Sequence, residues 1–354
     1  MIVLGIESSC DETACALVED GSKVLSSCIS SQIAIHQPFG GIVPEIASRE
    51  HLSCITTLAN EALSLANLNW QSIDAIAVTQ GPGLVGALLV GISFAKGLAL
   101  SLDRPLIPVD HIHAHIAGAH LGLHQDPAEL YPAIALVVSG GHTNLYAMRH
   151  SLDFRLIGYS QDDACGECFD KVGKILGFTY PGGPKIEKLA KGGRPTAHPM
   201  PRMMEGAENG YMFSYSGLKT HMVNLIRRQK VDLSPSDLAD VCASFQNAAF
   251  SQISRKIALA IQEFQPRSVI IAGGVSANQA FREKLQEEIA LPIYCPQLQY
   301  CGDNAAMIAA VGYQILTSKL PSAKHPSPIN AAMVGKDARG KFDWDAYPKY
   351  HFQG

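Results

Sequence analysis

Four histidines stand within the twelve residues VDHIHAHIAGAH at positions 109–120. The preceding RPLIPVD is typical of a short strand, and Asp110 is placed to cap a helix that starts there. On such a helix His111 and His115 share one face, at a spacing that lets both imidazoles reach one metal ion. His113 and His120 would face roughly the opposite side. The pair predicts part of a metal site, and ordinary core or surface histidines are the alternative.

The chemistry of this site differs from that of a zinc protease. A hydrolytic H-E-x-x-H helix carries a glutamate as general base directly after its first histidine, and here that residue is Ile112. Two histidines also require a third ligand from elsewhere, most readily a carboxylate. Asp303 in YCGDNAAMIAAVGYQ follows a predicted strand and opens a small-residue helix. Capping that helix is the alternative role for Asp303.

Three glycine turns indicate a nucleotide. SGGHT, between two predicted strands, leaves the backbone N–H groups of Gly140, Gly141 and His142 for phosphate or carboxylate oxygens. AGGVSANQ and YPGGP let a base or a ribose lie close to the backbone, since no Cβ intervenes. None of these three turns is a G-x-G-x-x-G motif followed by an acidic residue, and none is a Walker A loop. Any one of these turns can simply connect elements, but together they predict a nucleotide in a cleft between two lobes.

Acidic residues lie close to these turns. Asp11 and Glu12 fall in the first hairpin turn, where we assign them as candidate catalytic carboxylates. Asp170 lies in GECFDKVGK, a predicted helix on which it can hold ribose hydroxyls. The alternative for Asp170 is a solvated salt bridge with Lys171 or Lys174.

The elements that position these residues form a repeated pattern. IVLGIESSCDETACALVED and AIALVVSGGHTNLYAMRH each read as strand, polar turn and strand, and each is followed by alternating strands and helices. This predicts a duplicated α/β fold with a first lobe at 1–130 and a second at 131–325. A Gly/Pro-rich insertion spans about 177–230, a last helix at about 303–318 could pack back on the first lobe, and 326–354 form a tail that we expect to be mobile beyond about Gly335.

Charge and composition limit the partners and the compartment. The 354 residues carry a net charge of −4, so RNA binding needs a local basic patch or a partner. The densest basic stretch is LKTHMVNLIRRQK, at 218–230. The apolar segment GLVGALLVGISFAKGLALSL contains Lys96 and glycines, which favours a buried helix over a membrane span. With no signal-peptide pattern, the nine cysteines are expected to be reduced, and Cys165 and Cys168 to be small buried residues.

Ten segments resemble one family in order, from residue 2 to about 318. They are GIESSCDETACAL, GGIVPEIASREH, TQGPGLVGALLVG, KGLALSLDRPLIPVDHIHAH, LVVSGGHTNLY, GECFDKVGKILG, YPGGP, FSYSGLKT, AGGVSANQAFR and CGDNAAMIA. The family is TsaD, formerly called Gcp or O-sialoglycoprotein endopeptidase. The resemblance implies a two-lobe actin-like/Hsp70-like ATPase (ASKHA) fold with an inter-lobe nucleotide and metal cleft. It also implies transfer of threonylcarbamoyl from threonylcarbamoyl-AMP to N6 of the adenosine 3′ of the anticodon, in tRNAs reading codons that begin with A, with release of AMP.

The resemblance also implies roles for individual residues. His111, His115 and Asp303 would bind one iron or zinc ion per subunit. The activated substrate would be cradled by the run Val138, Ser139, Gly140, Gly141 and His142, and the adenylate portion of threonylcarbamoyl-AMP or ATP would be held by Asp170, Gly183 and Asn278. The chain departs from the family at Cys165 and Cys168, where small residues such as alanine are usual.

The implied partners are tRNA, TsaB-like and TsaE-like proteins, and a TsaC-like enzyme that makes the intermediate, all in the cytoplasm. Three alternatives remain: a related carbamoyltransferase using carbamoyl-AMP, a small-molecule kinase, and a non-catalytic nucleotide-binding scaffold.

Overall fold

The structure, a computed structural model, describes residues 1–122, 127–229, 234–318 and 344–347. Its strands are β1 Ile2–Glu7, β2 Glu12–Glu19, β3 Lys23–Ser31, β4 Ala75–Gly81, β5 Leu106–Asp110, β6 Ala133–Val138, β7 Thr143–Met148, β8 Arg155–Tyr159, β9 Ser268–Ala272 and β10 Ile293–Tyr294. Its α-helices are α1 Ile33–His36, α2 Pro44–Leu65, α3 Val85–Leu102, α4 His111–Gly118, α5 Cys165–Ile175, α6 Gly183–Ala190, α7 Ser216–Gln229, α8 Pro235–Phe264, α9 Gln279–Glu288 and α10 Ala305–Thr317.

The chain forms two compact units. Unit 1 contains the described residues of Met1–Glu129, Ser151–Phe154 and Pro296–Gly354, and unit 2 contains those of Leu130–His150 and Arg155–Cys295. The first passage between them lies beside the lobe boundary predicted at residue 130. Helix α10, within the segment assigned by sequence to the second lobe, is grouped with unit 1 and packs on β1.

The sheet of unit 1 has the strand order β3-β2-β1-β4-β5, in which β1 pairs antiparallel with β2 and parallel with β4. Leu4 and Ile6 pack into a core with residues of α2 and α3, while alternate positions of β1 face α10. Gly5 is required there, because a Cβ at this position would overlap the backbone of Ala305. The strands read as nearly continuous apolar runs because helices cover both faces of the sheet.

The sheet of unit 2 repeats this plan. Its order is β10-β9-β6-β7-β8, with β6 antiparallel to β7 and parallel to β9. Strands β6, β7, β8, β9 and β10 therefore correspond to β1, β2, β3, β4 and β5. The long helix α8 packs its apolar face, including Phe245, Phe250 and Ile253, into the core of this unit. The predicted α/β class and the two predicted hairpins, β1–β2 and β6–β7, are confirmed.

Helix α3 contains the apolar segment discussed above. By length and composition alone it could cross a membrane, a test that core helices also pass. In the structure it packs against β4 and α2, and Leu88, Ile92 and Ala95 are buried in the core of unit 1. This packing supports the interpretation of α3 as a core helix.

Part of the segment predicted to be mobile is ordered. Trp344, which is 4% exposed, lies in the core of unit 1, and residues 344–347 contact β4 and β5. Periodicity could not find this contact, because four residues outside any regular element carry no repeating pattern. The remainder of the predicted tail, 326–343 and 348–354, lies outside the described residues.

Candidate functional site

Helix α4 begins where β5 ends, and its first turn is fixed by Asp110. The Oδ1 atom of Asp110 accepts hydrogen bonds from the backbone N–H groups of Ile112 and His113, both at 2.9 Å. The predicted N-cap is therefore confirmed. His111 and His115 follow on one face, and their ring centroids lie 4.7 Å apart.

Asp303 lies in the turn before α10 and approaches both imidazoles. Its Oδ1 atom is 3.2 Å from Nε2 of His115 and 3.5 Å from Nε2 of His111. The cap of α10 is Asn304, whose side chain accepts from the N–H of Met307 at 2.9 Å. The alternative role of Asp303 as helix cap is thus wrong. One ligand atom from each of His111, His115 and Asp303 lies within 4.8 Å of the other two, an arrangement that can hold one metal ion.

His115 supports this interpretation most directly. It is 1% exposed, and neither ring nitrogen has a hydrogen-bond partner among the described residues. An unpaired buried polar atom costs about 1–3 kcal/mol, so a native imidazole in this state needs another partner. The 3.2 Å approach of Asp303 Oδ1 to Nε2 suits two ligands of one cation. The residues present therefore fit a metal.

The other two histidines of the stretch do not join this cluster. The ring of His113 stacks on Phe154 with centroids 3.7 Å apart and planes at 4°. His120 is buried near Gln314 of α10, and burial lowers its pKa to about 4. Both side chains serve packing within unit 1.

Glu7, the last residue of β1, is a further residue of the site that was not predicted from the sequence. Glu7 is fully buried, and its Oε2 lies 3.0 Å from Nδ1 of His111 and accepts from Thr79 Oγ1 at 2.6 Å. Its Oε1 accepts from the N–H of Ser9 at 2.5 Å. A carboxylate on the second nitrogen of a metal-binding histidine fixes the ring orientation and the tautomer. The available signal was a charged residue at the end of an otherwise apolar strand.

Electrostatics couple Glu7 and His111. Burial alone would raise the pKa of Glu7, but the neighbouring imidazole more than offsets it, so the pKa of Glu7 is lowered. Burial likewise disfavours the charged form of His111, yet Glu7 and then Asp303 raise its pKa to about 9. The pocket thus favours positive charge between two carboxylates, which a metal cation would supply.

The candidate catalytic carboxylates belong to the same acidic region. Asp11 lies in the β1–β2 turn and Glu12 opens β2. Burial and then repulsion by Asp303 raise the pKa of both side chains, that of Glu12 to about 8. Their catalytic role remains a prediction.

In unit 2, the SGGHT turn connects β6 to β7. Ser139 and His142 close it: the N–H of Ser139 donates to the carbonyl of His142 at 2.8 Å, and the N–H of His142 donates to Ser139 Oγ at 3.2 Å. The expectation of a free amide at His142 is therefore wrong. Gly140 and Gly141 are exposed at the tip, and Val138 is buried at the end of β6.

The other two glycine segments are held by side chains predicted to bind adenylate. Asp170 Oδ1 accepts from the N–H groups of Gly182 at 2.8 Å and Gly183 at 3.3 Å, so it fixes the YPGGP turn. Asn278 caps α9 and donates to Gln246 Oε1 at 2.8 Å. Both residues have structural partners, and their contact with a nucleotide remains a prediction.

The end of β6 lies close to the AGGVSANQ turn. A Cβ at Gly273 would lie 2.5 Å from the carbonyl oxygen of Val138, and Gly273 has φ = +88°, which side-chain-bearing residues rarely adopt. Because β6 and β9 are parallel, their carboxyl ends meet at one edge of the sheet. Ligands of open α/β sheets bind at this edge.

The structure also tests the purely structural roles considered for Asp170, Cys165 and Cys168. Lys171 pairs with Asp163 and Glu167, both within 2.8 Å, so the suggested Asp170–Lys171 bridge is wrong. Cys165 and Cys168 are fully buried and burial raises the pKa of both thiols, which confirms their interpretation as small buried residues.

Comparison with known proteins decides the family. The model of the TsaD family, described as tRNA N6-adenosine threonylcarbamoyltransferase, matches residues 23–310. The chain belongs to the TsaD family. Curated TsaD relatives with that same name include one from Carboxydothermus hydrogenoformans, 49% identical over 340 residues (95% of this chain and 98% of the relative), and one from Moorella thermoacetica, 48% identical over 314 residues (88% and 91%).

Solved structures extend the comparison for the fold. HypF from T. kodakarensis superposes with a TM-score of 0.60 at 14% identity, covering 89% of this TsaD chain and 47% of HypF. Component A of the (R)-2-hydroxyglutaryl-CoA dehydratase of Acidaminococcus fermentans gives 0.53 at 14% identity, covering 89% and 98%. The predicted actin-like (ASKHA) fold class is confirmed.

Proposed function

We propose that this TsaD chain transfers the threonylcarbamoyl group from threonylcarbamoyl-AMP to N6 of the adenosine 3′ of the anticodon, in tRNAs reading codons that begin with A, and releases AMP. The cluster of His111, His115 and Asp303 in a TsaD-family chain carries this proposal. A related carbamoyltransferase using carbamoyl-AMP is the alternative on the same fold.

The reaction determines what the residues must do. The donor is a mixed anhydride, so AMP is already a good leaving group, whereas an adenine N6 amine is a weak nucleophile. Orientation of the two reactants can lower the activation barrier by about 7–11 kcal/mol. A serine nucleophile with a histidine base is unnecessary for such a transfer, and the absence of a glutamate after His111 argues against a peptidase.

Unit 1 would hold the metal through His111, His115 and Asp303. Ferrous iron and zinc both accept two imidazoles and one carboxylate as ligands, so either metal is compatible with this site. When bound, such an ion supplies Lewis acidity and open positions that orient the threonylcarbamoyl group. Glu7 keeps Nε2 of His111 directed toward Asp303 by binding Nδ1, and Asp11 and Glu12 are the candidate groups for proton transfer from the attacking amine.

Unit 2 would hold the adenylate. The exposed tip at Gly140 and Gly141 offers backbone N–H groups toward phosphate oxygens. Val138, Ser139 and His142 shape that turn, and Asp170, Gly183 and Asn278 would line the nucleoside portion.

The tRNA requires a basic surface, and α7 offers one candidate. Arg227 is exposed, whereas Lys219 pairs with Asp163 at 2.6 Å and is less available to phosphate. The side chain of Arg228, as well as Lys230, lies outside the described residues, as do Lys336, Arg339, Lys341 and Lys349 of the alternative basic surface in the tail. TsaB-like and TsaE-like proteins, with a TsaC-like enzyme supplying the donor, are the proposed protein partners, in the cytoplasm.

A direct assay tests this function. The chain is incubated with threonylcarbamoyl-AMP and unmodified tRNA, with and without the partner proteins, and the nucleosides are analysed by mass spectrometry. We expect threonylcarbamoyladenosine only in tRNAs that read codons beginning with A. A scaffold would bind the nucleotide and leave every tRNA unmodified, and a related carbamoyltransferase would respond to carbamoyl-AMP on a different acceptor.

A further inference from the structure

Residues Trp344–Tyr347 form a short strap on unit 1. The indole of Trp344 is buried among core residues of α3 and the sheet, and the ammonium of Lys96 lies 4.9 Å above the ring. Lys96 Nζ also donates to the carbonyl of Trp344 at 3.0 Å. These contacts anchor one end of the strap on α3.

The middle of the strap follows the end of β4. Gln80 Nε2 donates to the carbonyl of Asp345 at 2.8 Å, and the N–H of Tyr347 donates to the carbonyl of Gln80 at 3.3 Å. A Cβ at Gly81 would overlap the carbonyl oxygen of Tyr347, so the strap lies directly on this strand. Its position is therefore set by the backbone as well as by the Trp344 anchor.

The strap ends on the residue that caps the metal-binding helix. The hydroxyl of Tyr347 donates to Oδ2 of Asp110, while Oδ1 of Asp110 accepts from the backbone N–H groups of Ile112 and His113 in the first turn of α4. Asp110 is 1% exposed, so a rotation of its carboxylate would disturb buried contacts. The next residue is His111, and His115 lies one turn further along the same helix.

We propose that Tyr347 is a positioning residue of the metal centre: by holding Asp110, it fixes the start of α4 and hence the placement of His111 and His115. This inference rests on the proposed metal site. It assigns a function to part of the C-terminal region, because the hydroxyl of Tyr347 donates to the residue that caps α4. Removal of the hydroxyl should loosen the coordination while leaving the ligands in place.

The test uses cobalt as a visible metal probe in the full-length protein. Metal-free wild type, His115→Ala, Tyr347→Phe and Tyr211→Phe are titrated with Co²⁺ and followed by its visible absorption. Tyr211→Phe is the matched control, because it removes another tyrosine–carboxylate hydrogen bond, that to Glu263 at 2.5 Å, in unit 2. Melting temperatures of the four metal-free proteins are measured in parallel.

We expect Tyr347→Phe to raise the Co²⁺ dissociation constant by about three- to tenfold. This effect is smaller than the roughly 10–100-fold expected for a residue that is hydrogen-bonded directly to a metal ligand. The absorption spectrum of Tyr347→Phe should change, whereas its melting temperature should lie only a few degrees below that of Tyr211→Phe, because Asp110 is buried and the Tyr211–Glu263 hydrogen bond is exposed. In a double-mutant cycle with Asp110→Asn the two effects should be non-additive, because Tyr347 acts through Asp110.

The outcomes separate this inference from the proposed function. If wild type binds Co²⁺ only as weakly as His115→Ala does, the proposed metal site fails and the inference fails with it. If wild type binds Co²⁺ tightly and Tyr347→Phe matches Tyr211→Phe in both affinity and spectrum, the positioning role alone is overturned. Additive effects of Tyr347→Phe and Asp110→Asn would also overturn it.

Discussion

The β1–β2 turn of unit 1 and the β6–β7 turn of unit 2 occupy the same place in two sheets of the same strand order. The first carries Asp11 and Glu12 and follows the buried Glu7, whereas the second exposes Gly140 and Gly141. Burial and then repulsion by Asp303 raise the pKa of Glu12 to about 8, so the first turn disfavours a further negative charge. The second turn instead exposes the backbone of Gly140 and Gly141.

This difference shows how a duplicated fold acquires two kinds of site. The hairpin fixes where the turn lies, and the residue types then decide which ligand it suits. Buried carboxylates beside His111 favour a cation, since the cation relieves their repulsion. Exposed glycine amides favour an anion such as a phosphate. The following predictions test whether the two units have divided the chemistry in this way.

The largest expected effect is loss of the metal from unit 1. His111→Ala or His115→Ala should lower metal affinity by more than the roughly 10–100-fold that follows loss of a residue hydrogen-bonded to a metal ligand, and should abolish transfer to tRNA. The matched control is His113→Ala, whose ring stacks on Phe154 away from the cluster. Metal content of the purified variants and nucleoside analysis of the tRNA measure both effects. Equal metal loss in all three variants would mean that α4 does not present its histidines as the structure has them.

The sequence predicted this helix and its cap because helix geometry is local. A spacing of four residues places His111 and His115 on one face, and Asp110 precedes them at the capping position. Strand–turn–strand patterns likewise predicted both hairpins. Sequence reasoning could not choose the role of Asp303, since Asn304 beside it is an equally good cap. It also missed Glu7 and Tyr347, whose contacts with His111 and Asp110 span 104 and 237 residues of chain.

The next effect concerns the support of the metal ligand by Glu7. Glu7→Gln should weaken metal binding by about 10–100-fold, because the neutral amide holds the Nδ1 side of His111 less strongly than a carboxylate does. Glu19→Gln is the control, since it neutralises a glutamate of the adjacent strand that pairs with Lys23 at the surface. Competition with a chelator gives both affinities. An unchanged affinity in Glu7→Gln would reduce Glu7 to a structural role.

A smaller effect is expected from the backbone geometry of unit 2. Gly273→Ala should destabilise the protein by about 1–3 kcal/mol, because alanine at φ = +88° is strained and its Cβ would meet the carbonyl of Val138. Gly274→Ala is the neighbouring control, with nothing within 4 Å of an added Cβ. Thermal unfolding of the two variants measures the difference, and binding of an ATP analogue reports on the turn. Similar melting temperatures for both variants would contradict the close approach of this turn to β6.

The smallest expected effect tests whether unit 2 also supplies the surface for tRNA phosphates. Arg227 is exposed on α7, so Arg227→Gln should weaken tRNA binding, mostly at low salt, and Arg228→Gln is expected to act in the same direction. Each lost phosphate contact should flatten the dependence of log affinity on log salt by about 0.7–0.9, through counterion release. Lys219→Gln is the control on the same helix, and its slope should change less because Lys219 already pairs with Asp163. The titrations are run on the free chain and on the complex with its partners, with binding of the small adenylate expected to stay constant. An unchanged slope in both arginine variants would assign the phosphate contacts to another surface, and the division of chemistry between the units would then cover the metal and the adenylate alone.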